Sequence, residues 1–319
     1  MQALTAVNPN SVAIPVTRVS GVTSALTMPA GGPLPGTAAT ISLFGYTPDQ
    51  MYAGSKGVVM NFPSSAQRGW RRRTPEQIEK ARERAQETIN DAFDKAELYA
   101  KIKESDAARY YPEMEALAKV VTGEVLLYIE VNSAKDITSA LEWVEERGYK
   151  NVVLTGVAEG WRVADEIAKS GFPVITGPVL STPTRGSDAY DTAYKNPGLM
   201  QKAGIKVALR TMDTENSRNL PYNAGFAATY GMGREEALKA ITINAAEIMG
   251  VGDELGSIEV GKKANIFVST GDPFQTSTKI LDVFIDGYKI PMTSRHTELY
   301  DEFLNRTPGL NKNATKVDG

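Results

Sequence analysis

The run Leu127-Tyr-Ile-Glu-Val-Asn-Ser sets a carboxylate, Glu130, and an amide, Asn132, at the end of an apolar stretch that reads as a buried strand. A helix start follows within a few residues, and strand ends of this kind carry chemistry in α/β proteins. A carboxylate there works as a general base once burial or a neighbouring charge has tuned it. The other reading is a Glu bound to Arg210 or Arg218 in a site that no longer turns over. A second cluster, "RTMDTENSRNLPY", brings Arg210, Asp213, Glu215, Asn216, Arg218 and Asn219 to another strand end. It reads either as a polar pocket floor for a charged small molecule, with Arg218 suited to a carboxylate, or as a network tying the strand to the next helix. "GPVLSTPTRGSDAYD" supplies Ser181, Thr182, Thr184, Arg185 and Asp188, of which the hydroxyls need a base to become nucleophiles. That loop reads as a pocket wall leading to a helix capped by Ser187. In "GVAEGW", Glu159 is placed to open a helix, where a carboxylate favours the dipole, and Trp161 to pack or line the pocket. Glu130 and Asp213 are therefore the candidate catalytic groups. Asn132, Glu159, Arg210, Glu215, Asn216 and Arg218 are the candidate substrate-binding ones.

What the chain lacks narrows the chemistry. It holds one histidine, His296, in a C-terminal tail, and no cysteine. Disulfides, thiolate metal sites and a cysteine nucleophile are excluded, and the commonest general base and metal ligand is almost gone. A carboxylate-only site built on Glu130 with Asp213 or Glu215 would suit Mg²⁺ or Ca²⁺ better than zinc. The net charge of −3 gives no overall field favouring nucleic acid or an anionic membrane. The one dense basic patch, Arg68 with Arg71, Arg72 and Arg73, reads as a solvated approach to a charged helix. No apolar run reaches the roughly 18 residues of a membrane span, and the start, MQALTAVNPN, does not read as a signal peptide.

The elements that must position these groups follow a regular rhythm. "VTSALTMPA" and "GVVMNFP" read as strands. Thr74-Pro-Glu-Gln77 is a capping box with Pro at the first helical position, opening a long charged helix. From Glu124 onward strand and helix alternate: "EVLLYIEV", "AKDITSALEWVEERG", "NVVLTG", "EGWRVADEIAKSG", "FPVITGP", "DAYDTAYKNPGLMQKAG" and "IKVALRT". Continuous apolar strands between amphipathic helices make a parallel sheet covered by helices, and Gly148, Gly171 and Gly204 suit left-handed helix ends. Two further helices are expected near "PYNAGFAATYG" and "GREEALKAITINAAEIMG". After Gly250 short strands with Gly and Asp turns replace the alternation. The expected division is residues 1–250, 251–291 and a helical, polar tail, 292–319.

The segment "GREEALKAITINAAEIMGVGDELGSIEVGKKANIFVSTGDPF" followed by "VFIDGYKI" resembles the amidohydrolase superfamily in its imidazolonepropionase-like branch, and "VTRVSGVTSALTMPAGG" resembles that family's second barrel strand. The resemblance implies an α/β, TIM-like (β/α) barrel with its site at the carboxyl ends of the strands and a small β-sandwich, of which this chain carries the C-terminal part. It implies hydrolysis of C–N bonds with one or two divalent metals supplying the nucleophilic water. The departures are as informative. The first strand with its His-x-His pair is missing from this chain, so the barrel is expected to be incomplete. Glu130 stands at the fifth-strand His, Gly156 at the sixth-strand His, and Met212 where the eighth-strand Asp is expected, with Asp213 one residue later.

Two functions follow. One is a non-catalytic binding or partner subunit with the family barrel and no metal or other cofactor. The other is a hydrolase of non-peptide or dipeptide-like C–N bonds using strand-end carboxylates. The expected partners are a small molecule in the barrel mouth and a second copy or a paralogous amidohydrolase chain, with neither nucleic acid nor membrane insertion. The chain reads equally as a fragment whose open edges need covering by its own N-terminus or a partner, so its compartment is not legible.

Overall fold

The computed structural model describes residues 1–65, 74–103 and 109–306. The basic patch at Arg68 and Arg71–Arg73 lies outside them. Seven strands form one sheet in sequence order: β1 (Ser24–Thr27), β2 (Gly36–Ser42), β3 (Tyr52–Asn61), β4 (Leu126–Val131), β5 (Val152–Gly156), β6 (Val174–Thr176) and β7 (Val207–Leu209). β2 runs antiparallel to both neighbours, and β3 to β7 are parallel. The sheet is an open, curled half-barrel. A separate antiparallel sheet holds β8 (Ile266–Ser269), β9 (Ile280–Ile285) and β10 (Tyr288–Ile290).

The helices are α1 (Ala13–Arg18), α2 (Pro48–Met51), α3 (Pro75–Lys103), α4 (Pro112–Val121), α5 (Ala134–Arg147), α6 (Ala164–Ser170), α7 (Thr192–Lys202), α8 (Leu220–Ala227), α9 (Arg234–Ala240), α10 (Ile243–Ile248) and α11 (Arg295–Arg306). The Thr74 box closes as expected: the Gln77 amide donates to Thr74 Oγ1 at 3.3 Å and Thr74 N–H to Gln77 Oε1 at 3.1 Å. Gly148 and Gly171 end α5 and α6 in the left-handed region, at φ +71° and +72°. Two expectations are corrected. α7 begins at Thr192 behind Asp191, so Ser187 is not its cap. The segment 234–248 is two helices, broken at Ile241–Thr242, where Thr242 takes φ −128°, ψ −101°.

Strand alternation sorts the curled sheet into two faces. Outward residues such as Leu127, Ile129, Val152, Leu154, Val174 and Val207 pack under the helices. The concave face carries an apolar residue from every strand, Leu26, Ala38, Val59, Tyr128, Val153, Ile175 and Ala208, with Leu126 beside Tyr128 on β4. α10 adds Ala245 and Ile248 to that layer, and Asn244 Nδ2 donates to the Val207 carbonyl at 3.2 Å. The chain's own α10 thus meets the free side of β7. β9 and β10 press Val283, Ile285 and Ile290 against Leu4, Ile41, Leu43 and Met51, so the small sheet is cored on N-terminal residues.

Candidate functional site

Two residues beyond the apolar layer on β4, β5 and β7 the concave face turns polar, because period-two alternation puts Glu130 above Tyr128, Thr155 above Val153 and Arg210 above Ala208. Glu130 lies opposite Thr155 in the ladder. Arg210 crosses from the far end of the sheet, its own amide still in register with the Thr176 carbonyl at 2.9 Å. Its Nη1 donates to Glu130 Oε2 at 2.7 Å and its Nη2 to Oε1 at 2.8 Å, a two-point pair. Thr155 Oγ1 donates to Oε2 at 2.7 Å and Asn132 Nδ2 to Oε1 at 3.2 Å. Each carboxylate oxygen therefore accepts two bonds. Burial pushes the Glu130 carboxyl up, but the bonds and charge of Arg210, with Thr155 and Asn132, outweigh it and hold the group below its ordinary value. It is a settled anion and a poor proton acceptor.

The pair floors a cavity of about 230 Å³. Its wall is the loop after β6, through Ser181, Thr182 and Thr184, and the start of α7 contributes Asn196. Asn196 is buried with its amide fully engaged: Oδ1 accepts from Trp161 N–H at 2.9 Å, and Nδ2 donates to the Val157 carbonyl at 2.9 Å and to Thr176 Oγ1 at 3.3 Å. Glu159, also buried, stands as expected at the start of a short 3-10 helix, Gly160–Arg162, but its side chain does not cap it. Its Oε2 accepts the Ala134 amide at 2.9 Å, at the start of α5, and both oxygens hold Arg185 of the wall loop, with Thr184 adding a bond at 3.1 Å. Burial raises its pKa, and Arg185, the Ala134 amide and Thr184 together bring it below the ordinary value. Half-buried Trp161 stacks under the Arg162 guanidinium.

The other sequence candidates lie elsewhere. β7 ends at Leu209 and Met212 has φ +73°, so the strand has broken before Asp213. Asp213, Glu215 and Asn216 sit on an exposed turn, where Asp213 accepts from the Asn216 amide at 2.9 Å and from its Nδ2 at 3.0 Å. Arg218 is half-buried in the next turn, against α1, and Arg210 is the arginine that holds Glu130. His296 is exposed on α11. Sequence reasoning missed Thr155 and Asn196 as parts of this network, and placed Arg185 on the wall loop without its partner Glu159. Asn196 had a signal, a short amide on an otherwise apolar helix face.

A divalent metal does not fit these residues. Among the described residues no three of His, Cys, Asp and Glu come together as ligands. At the sixth-strand position, Gly156 has φ +85°, and a Cβ there would meet Asn132 Oδ1 at 2.5 Å and Glu130 Oε1 at 2.7 Å, so any side chain would have to displace both from the pair. A guanidinium already neutralises the mouth's carboxylate, and its charge opposes a second cation.

Residues 186–290 match the amidohydrolase family. A solved amidohydrolase of Thermotoga maritima MSB8 superposes on the chain with a TM-score of 0.78 at 26% identity, over 92% of this chain and 78% of that one. Curled half-barrel, small sheet and matched segment are those of the amidohydrolase class, to which residues 186–290 are matched. Within that class the chain is similar to the imidazolonepropionase of Shouchella clausii, 39% identical over 89 residues, 27% of this chain and 20% of that protein. It is also similar to the N-substituted formamide deformylase of Arthrobacter pascens, 32% identical over 106 residues, 28% of this chain and 20% of that protein. The matches thus span about a fifth of each of these relatives' lengths.

Proposed function

We propose that this chain is an amidohydrolase-family barrel that binds a small molecule at its strand ends without the family's metal. One observation carries the reading: Glu130, the carboxylate at a family ligand position, is held at both oxygens by Arg210. A ligating carboxylate must offer a lone pair to the cation, and here a permanent internal cation takes its place. Elemental analysis of the purified full chain tests this. Zinc, nickel, iron, magnesium and calcium are expected well below one per chain, and any of them at one per chain overturns it.

The second reading is hydrolysis of a C–N bond with Glu130 as the acting carboxylate. The family match over residues 186–290 favours it. It requires that Glu130→Gln abolish turnover of an amide substrate with the fold intact, and retained turnover in that variant ends it.

A further inference from the structure

Resting on the binding reading, we propose that the cavity selects an uncharged polar ligand with adjacent acceptor and donor atoms, such as a carboxamide, ureide or diol, and discriminates against carboxylates and ammonium ions. Glu130 and Arg210, whose side chains are only 13% and 15% exposed, cancel each other's charge at the cavity floor. An anion drawn to Arg210 meets Glu130 beside it, and a cation drawn to Glu130 meets Arg210. A charged ligand therefore gives up its hydration with no net charge to compensate it.

Hydrogen-bonding capacity remains at the same place. A guanidinium has five N–H groups. Arg210 uses two on Glu130 and one on the Gly177 carbonyl at 3.3 Å, and among the described residues no acceptor takes the other two. Asn132 gives one N–H to Glu130, and among the described residues no donor reaches its Oδ1. Asn196 and Thr176 are satisfied by each other and by backbone, so they shape the wall without demanding a partner. The floor thus offers donors from Arg210 and an acceptor from Asn132, with the Ser181 hydroxyl on the wall. An amide-like group answers that pattern, and a carboxylate, which only accepts, leaves Asn132 Oδ1 unanswered.

The test is a matched series at neutral pH, N-acetylglycinamide, N-acetylglycine and glycinamide, titrated against the full chain by ligand-observed NMR. The neutral compound is expected to bind about tenfold more tightly than either charged one. A charged member binding as tightly overturns this inference and leaves the binding reading standing. Failure of all three overturns the binding reading as well. Glu130→Gln leaves Arg210 uncompensated and should reverse the order in favour of N-acetylglycine, and an unchanged order removes the pair as its cause. Should that variant not fold, Ser181→Ala serves: it should weaken the neutral ligand severalfold, and unaltered affinity moves the ligand off this floor.

Discussion

Glu130 and Arg210 are 80 residues apart in the chain and meet only because the sheet curls. Removing one of them strands the other in a mostly buried place. Glu130→Ala or Arg210→Ala should therefore cost about 3–5 kcal/mol, with the double replacement Glu130→Leu, Arg210→Met less damaging than either, as measured by urea unfolding. The pH dependence has a definite sign. The folded-state pKa of Glu130 is lowered, so its contribution is complete above the unfolded value of about 4.3 and is lost as pH falls through the lower, folded one. The stability gap between the native chain and Glu130→Gln should narrow on acidification through that window, and a constant gap would contradict the pair's role. At this scale the sequence was half legible. Glu130, Asn132 and Arg210 stand out as polar groups closing apolar runs. Thr155 does not, because a threonine in a strand carries no sign of its partner, and Asp213 and Glu215 stand out although their turn faces solvent.

The cavity wall is an element-scale device. Glu159 draws together the start of α5 and the loop carrying Thr184 and Arg185, and Asp188, farther along, pairs with Arg162. Two separate contacts thus hold one loop. Glu159→Gln keeps the shape and discards the charge. It should accelerate amide exchange at Ala134 and across residues 180–188 and leave β4 and β5 protected; unchanged exchange in the loop would show that Glu159 does not hold it. The alternation of strands and helices, the Thr74 box and the glycine stops were readable because each rests on local chemistry. β2 was not. Gly-Thr-Ala-Ala-Thr-Ile-Ser is mostly small residues, and its pairing with β1 and β3, rather than its own propensity, makes it a strand. The break at Thr242 and the late start of α7 escaped for the same reason: tertiary contacts set both.

On the scale of the whole molecule, the small sheet and the N-terminal residues share one core, with Ile285 at 1% exposure between them. Ile285→Ala should cost about 2–5 kcal/mol. Trp143 fluorescence on α5 and far-ultraviolet circular dichroism should still report one coincident transition. Separate transitions would mean that the small sheet melts independently of the barrel. The barrel itself could be read from the alternating elements and the C-terminal resemblance. That α10 would supply Ala245 and Ile248 to the concave layer could not, since nothing local to "INAAEI" tells which strand edge it meets.

The guanidinium at the mouth has one more consequence. A positive charge carried by the polypeptide cannot be stripped by chelators, exchanged for another ion or starved by a medium poor in trace elements. On the proposed binding reading, ligand affinity should therefore be the same in EDTA as in added zinc.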